Sequence, residues 1–584
     1  MTELLQRPRP AIPRPPRRSP ATPPRPERSD ALPTAALPGA PERPRRETPS
    51  ATPVGELMLA GTRTWVRRHR LSIPIVLGLM AVTVLLVGTG ITRSPGFADD
   101  EGTYVAEAWA FVTHGQLSHY TYWYDHPPLG WIQLGILTEL FGPLLRGATA
   151  VATARSLMLL PALATASLLY VLGRRLGLRR GFSALAVLLL VASPLGIDSL
   201  RQVYLENFAL PWVLLAFVLA QSPSRRLWAF AGAGACFAVG VLSKETMLLF
   251  LPGLLLAIVG RADRRTRSFC LAAFGASFVL LGIGYPLYAL LKGELIPGPG
   301  HVSLLQAVTW QLAGRQGTGS VFASGSQAQH LVLSWTQVDP WLLGLGLAAA
   351  VLCLGVRRLR PVGLTLVVPV LVALRGGYLP EPFDIALLPF CALAIAGVLD
   401  LVWTRARGGI PLRTRASTPR GAMGLAGAVG LLVALTLLIT PGWVRGDRAQ
   451  MTADATAPIA GAEHWIAAHV NRRARLMIDD TMYVDLVRDG FTPRYGVVWF
   501  YKLGFSNNLD PAIVRHLPRG WREFDYVVST PVIRSALAQN PSGDGQVRAA
   551  LAHSRPVARF GRGAGAIVIR RITGPHTGSG ALSR

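Results

Sequence analysis

Phe97–Trp131, FADDEGTYVAEAWAFVTHGQLSHYTYWYDHPPLGW, directly follows the first long apolar run of the chain, Leu71–Ile91. It packs Asp99, Asp100, Glu101, Glu107 and Asp125, the histidines His114, His119 and His126, and a run of aromatics into one loop. A plain connection between membrane helices needs none of this chemistry. The fold turns on how many apolar segments follow this loop and on which side of a membrane it lies.

Half of the 584 residues are hydrophobic and only 16% are charged, with a mean hydropathy of +0.36. Repeated apolar runs near 20 residues in such a chain mean a polytopic membrane protein. Candidate spans are 71–91, 155–173, 182–197, 204–220, 227–242, 246–260, 268–290, 340–356, 361–374, 384–403 and 421–441, about eleven in all. The basic loops Arg174–Arg180, Ser222–Arg226, Arg261–Arg267, Arg357–Arg360 and Arg405–Arg420 fall on alternate sides of these spans and therefore face the cytoplasm, as does the N-terminus. The same parity places the opening loop 92–154, Asp198–Asn207, the Ser243–Glu245 turn, Leu291–Asp339, Arg375–Pro382 and everything after Pro441 outside. Pro128–Phe141 is apolar but short and carries Glu139. It reads as an interfacial helix, because a crossing there would turn every later basic loop outward.

Residues 1–54 hold 15 of the 45 prolines and many arginines; such a segment buries no core and reads as a disordered cytoplasmic tail. Residues 55–441 form the membrane domain. From 442 to 575 the long apolar runs stop. A helical pattern at Glu463–Val470 and short apolar strands at Arg475–Asp479, Tyr495–Phe500, Asp525–Ser529 and Gly565–Arg570 predict a small extracytoplasmic α/β domain, followed by a flexible tail, 576–584. The net charge of +27 lies mostly in the tail and beside spans, which argues against a nucleic-acid partner and for a multi-pass protein of the plasma (inner) membrane. The four cysteines lack metal-ligand spacing.

The ionisable residues at the outer ends of spans are the candidates for chemistry, since charge at membrane depth is costly. Asp99, Asp100 and Glu101 suit a general base, a cation ligand or a helix cap. Tyr104 follows one turn later. Tyr124 and His126 join an aromatic cluster that suits either interfacial anchoring or stacking on a sugar ring. Arg201, Tyr204 and Glu206 lie where the third span meets the fourth, and an Arg201–Glu206 pair joining two helix ends is the plain alternative. Lys244, one of three lysines, suits a fixed positive charge for a phosphate, or a side chain reaching back to the interface. Arg315, Arg375 and Tyr378 complete the set on outer loops.

Taken together, D-E-x-x-Y at Asp100–Tyr104, HPPLGW at His126–Trp131, R-x-x-Y-x-E-N at Arg201–Asn207 and L-S-K-E-T at Leu242–Thr246 resemble the bacterial protein O-mannosyltransferases and aminoarabinose-transferase-like glycosyltransferases of the GT-C superfold. The resemblance covers roughly 71–400 and is loose over 442–584. It implies an inverting transferase that uses a polyprenyl-phosphate sugar as donor and an extracytoplasmic acceptor. Asp100, with Glu101 beside it, would be the catalytic carboxylate, Glu206 a second acid, and Lys244 and His126 contacts to the donor phosphate. A divalent cation at Asp100 stays open, and no other cofactor is implied. Glu107 falls one residue later than the corresponding acid of aminoarabinose transferases, and His126 stands where those enzymes often carry Lys. The W-W-D-Y-G signature of oligosaccharyltransferases is absent.

A transporter or flippase is the competing class, but it calls for internal repeats and midspan ionisable groups, and neither is evident. A non-catalytic scaffold working through its outer domain is the third. Topology reporters fused at Gln311 and Arg472 are both expected to score as outside; a cytoplasmic signal from either overturns the span assignment.

Overall fold

The structure is a computed structural model that describes residues 70–407, 419–504, 510–539 and 545–573. The proline-rich segment 1–54, most of the loop Arg405–Arg420 and the tail 576–584 lie outside the described residues.

Helix α1, Ser72–Gly88, is followed by α2, Asp99–His114, and α3, Leu129–Phe141, within the first loop. All eleven apolar runs are largely helical, though not every one is long enough by itself to cross a membrane. Among the described residues four helices are long and apolar enough to cross a membrane: Ala150–Arg175, Arg267–Leu291, Phe383–Ala406 and Val429–His469, the last taken with the helix that follows it. The count is six if the bent pairs Arg180–Val191 with Pro194–Arg201 and Gln327–Val338 with Leu342–Leu354 are each one span. An apolar window counts hydrophobic residues whether or not the helix through them breaks. At Ser193 the hydroxyl caps a new helix with Pro194 at its first position and the axis turns by 69°.

Three long contacts hold the first loop in place. Glu101 is completely buried against the equally buried Arg155, which approaches it with Nε and a terminal nitrogen. The backbone N–H of Val203 donates to the same carboxylate at 2.9 Å, and the N–H of Ala98 closes a helix cap on it at 3.0 Å. Arg201 is also fully buried. Its guanidinium donates to the carbonyls of Val87 at 2.8 Å, Leu86 at 3.0 Å and Thr89, the orphan acceptors at the end of α1. At the far end of α2, Gly115 takes the left-handed conformation with φ of 63° and stops the helix.

The C-terminal domain is a five-stranded mixed sheet of β1 (Leu476–Ile478), β2 (Val497–Trp499), β3 (Tyr526–Ser529), β4 (Ser554–Phe560) and β5 (Ile567–Ile572), ordered β2-β1-β3-β5-β4. β1 runs parallel to β2 and β3, whereas β5 is antiparallel to β3 and β4. The four expected strands are present. β4 was missed because SRPVARF is largely exposed at the sheet edge and lacks a buried apolar face. The helix Pro419–Thr452 runs past Pro441 toward this domain.

Arg155→Met leaves Glu101 as an uncompensated buried charge, so it should destabilise the protein by about 3–5 kcal/mol, with most of the loss recovered when Glu101 is also replaced by Met. Thermal unfolding of the purified variants checks this.

Candidate active site

The three adjacent acids at the start of α2 point to three different places, as residues about 100° apart on a helix must. Glu101 faces Arg155 and is occupied on both oxygens, so its assignment as a catalytic carboxylate is corrected to a structural one. Asp99 turns toward the C-terminal domain. Burial and then the carboxylate of Asp480 hold its pKa well above the usual carboxylate range. Asp100 alone is exposed, and its charge is felt at Tyr104, Tyr204, Lys244, Tyr378 and Glu381.

Opposite it lies a chain of charged groups built by the HPPLGW and LSKET segments. Gly130 lets α3 press against the chain: a Cβ there would fall 2.7 Å from the Leu205 side chain and 2.9 Å from the Ser243 carbonyl. Gln133 then donates to the Ser243 hydroxyl at 2.8 Å and accepts from the Trp212 indole at 2.8 Å. This docking delivers His126 to the neighbouring turn. His126 Nδ1 lies 3.1 Å from both carboxylate oxygens of Glu245, and its Nε2 lies 3.1 Å from Lys244 Nζ. Lys244 in turn sits 3.6 Å from Glu206 Oε1, with both side chains almost fully buried. Burial would depress the His126 pKa, but the Glu245 carboxylate outweighs it and raises the ring above its ordinary value. Burial raises Glu245, and His126 and Lys244 more than reverse this, bringing it to about 2. Once deprotonated, the ring donates from Nδ1 to Glu245 and accepts at Nε2 from Lys244, so both contacts are hydrogen bonds.

His126 therefore has no free ring nitrogen for a phosphate; it orients Lys244, which corrects the direct contact expected of it. Arg201 is likewise corrected from a substrate contact to the cap of α1, and Glu206 pairs with Lys244 rather than with Arg201. Tyr104 packs beside His126, with ring centroids 6.3 Å apart. Tyr204 is buried under Asp100. Tyr124 takes a left-handed conformation, φ 58°. Its hydroxyl donates to Glu294 at 2.6 Å in a satellite cluster with Ala289 and Leu304, so it forms wall rather than reaction centre. Arg315 stacks on Tyr378, 3.4 Å from the ring centroid. It also donates to Gln311, whose amide reaches the Asp125 carbonyl, which ties this cation to the His126 loop. Arg375 is exposed, and among the described residues no hydrogen bond or ion pair joins it to the cluster. Nor is any group of three or more His, Cys, Asp or Glu arranged to hold a metal among them.

Sequence reasoning missed the partnership of Glu245 with His126, although Glu245 is adjacent to Lys244. It also missed Glu381, which lies in reach of Asp100, and the C-terminal residues Asp480, Tyr501 and Lys502 that meet the first loop. The one local signal for Asp480 is its place just after a parallel strand, where α/β domains gather functional side chains.

Residues 125–287 match the family model described as dolichyl-phosphate-mannose-protein mannosyltransferase. No curated protein sequence matches the chain. Among solved structures, apo ArnT from Cupriavidus metallidurans superposes with a TM-score of 0.54 at 16% identity, covering 86% of this chain and 99% of that one. The same protein bound to undecaprenyl phosphate gives 0.54 at 16% identity over 87% and 99%. The Archaeoglobus fulgidus oligosaccharyltransferase tethered to an acceptor peptide gives 0.50 at 12% over 87% and 76%. The fold is GT-C. In this GT-C chain the family match contains His126, Glu206 and Lys244 but begins after Asp100.

Glu245→Gln removes the anion that favours the imidazolium, so the His126 pKa should fall. In the wild type the pair's contribution to stability is complete below the unfolded value of about 6.5 and is lost as pH rises through the higher folded value. NMR titration of the labelled imidazole checks the direction; an unchanged ring pKa rules out the Glu245 contact as its cause.

Proposed function

We propose that this protein is a membrane glycosyltransferase that moves a sugar from a polyprenyl-phosphate donor to an extracytoplasmic acceptor with inversion at the anomeric carbon. The observation that carries this reading is an exposed carboxylate, Asp100, within electrostatic reach of the buried cation Lys244 and of Tyr378, on which Arg315 stacks. The GT-C fold and the undecaprenyl phosphate in the Cupriavidus structure support the donor class.

The acceptor hydroxyl attacks the anomeric carbon while Asp100 takes its proton, and the bond from that carbon to the phosphate oxygen breaks. One displacement inverts the centre. Lys244, held by His126 and Glu206 in a site poor in water, meets the negative charge that grows on the departing phosphate. Arg315 is the second cation within reach of that group. The prenyl chain stays in lipid, which keeps the reacting carbon at the interface.

We read the short apolar helices Ser72–Gly88, Leu205–Ala220, Leu227–Ser243 and Arg360–Leu374 as crossing too, together with the segment 246–260, which makes eleven spans with α3 left at the interface. The N-terminus then lies in the cytoplasm and the C-terminal domain outside, because only this count keeps the basic loops on one side.

In proteoliposomes supplied with polyprenyl-phosphate sugars, Asp100→Asn should cut kcat by about a hundredfold or more with the protein still folded. Lys244→Ala should lose turnover as well. Full turnover in both variants sinks the assignment of the site.

A further inference from the structure

The face of α2 next to Asp100 is held by the C-terminal domain. A Cβ on Gly102 would lie 2.3 Å from both the Asp480 carbonyl carbon and the Thr481 nitrogen, so helix backbone and domain backbone touch directly. The Thr103 hydroxyl donates to Asp480 Oδ2, and the Tyr501 hydroxyl donates to the same oxygen at 2.5 Å. Asp480 is 1% exposed. It follows β1, which is paired in parallel on both sides, and Asp479 fixes the turn by accepting from the Thr481 N–H at 3.2 Å and its hydroxyl at 2.6 Å. The remaining oxygen Oδ1 of Asp480 is buried without a hydrogen-bond partner, and so is Oδ1 of Asp99. Burial lifts Asp480 to about 8 even against the hydroxyls of Thr103 and Tyr501.

The first turn of α2 is thus gripped from two sides. Glu101–Arg155 holds it to the membrane domain and Asp480–Thr103 holds it to the C-terminal domain. Asp100 lies between the two grips and carries neither.

We propose that Asp480 is a positioning residue: the C-terminal domain completes the reaction centre by fixing, through Thr103 and Gly102, the direction in which Asp100 points. This rests on the reading of Asp100 as the reacting carboxylate. A carboxylate displaced by about 1 Å can cost a hundredfold in rate while substrate binding is barely touched. Asparagine at 480 can still accept from Thr103 and Tyr501 through its carbonyl.

The test uses the full chain in proteoliposomes with a polyprenyl-phosphate sugar, together with hydrogen exchange of residues 99–107. Asp480→Ala should lower kcat about ten- to a hundredfold with donor KM changed by less than about twofold, and Asp480→Asn should recover to within about threefold. Asp510→Ala is the control. It removes a different contact between the domain and the first loop, Thr121 N–H to Asp510 Oδ2 at 3.0 Å, and should leave kcat within about twofold. Exchange over 99–107 should quicken in Asp480→Ala and not in Asp510→Ala. Equal losses of kcat in Asp480→Ala and Asp510→Ala, or a change confined to KM, overturn the proposal in favour of general docking. If the wild type turns over no polyprenyl-phosphate sugar, the functional reading fails on its own. The grip on α2 is then decided by exchange alone, and unchanged exchange in Asp480→Ala overturns it.

Discussion

A carboxylate and a guanidinium, both withdrawn completely from water, anchor this molecule. Glu101 and Arg155 have no solvent to fall back on, so each needs the other, and the cost of desolvating them is offset only because every remaining polar valence is also used. Arg155 reaches the carbonyls of Pro95 and Gly96, and Glu101 takes the N–H groups of Ala98 and Val203. Three separated segments, residues 95–101, Arg155 and Val203, meet at one ion pair. Such a pair adds little to stability over a hydrophobic contact, but it tolerates one arrangement only. That arrangement sets the N-terminus of α2, and with it Asp100.

A second line of charges, Glu245–His126–Lys244–Glu206, meets the same need for buried partners. Two acids bracket two bases, and the bases share a single contact through which one proton is enough. Lys244 is thereby kept cationic in a nearly dry place, with its direction fixed by a ring it cannot push away. A lone lysine at this depth would turn toward water; this one is held by two neighbours, His126 from the approach to α3 and Glu206 from the fourth span.

Much of this was legible in the sequence. Alternating basic loops and apolar runs identified the helices, and three of the four motifs contain His126, Glu206, Lys244 and Glu245, which the fold brings into one line. The strands β1, β2, β3 and β5 showed as short apolar runs. What was not legible follows from physics that acts between distant residues. Arg201 and Glu206 stand five positions apart and look like a pair, but the open carbonyls at the end of α1 claim the arginine first. Glu101 is chemically the twin of Asp100; only Arg155, fifty-four positions away, tells them apart. Asp480 meets Thr103 across 377 positions, a distance over which one chain carries no local signal. Helix breaks such as the one at Ser193 depend on a side-chain cap that hydropathy does not register.

The helix Pro419–Thr452 joins membrane bundle and C-terminal domain without a loose linker along its length. It is braced on the way, by the Trp443 indole on Asp339 at 3.0 Å and by the Gln450 amide on the Pro194 carbonyl at 3.0 Å. Such a shaft transmits phase as well as distance. One residue more or less would advance the domain by about 1.5 Å and swing it through about 100°, carrying Asp480 away from the helix it touches. The length of this shaft is therefore a quantised variable in the history of the protein. Its surface residues can drift freely, but insertions within it are tolerable only in steps that restore the same rotational setting.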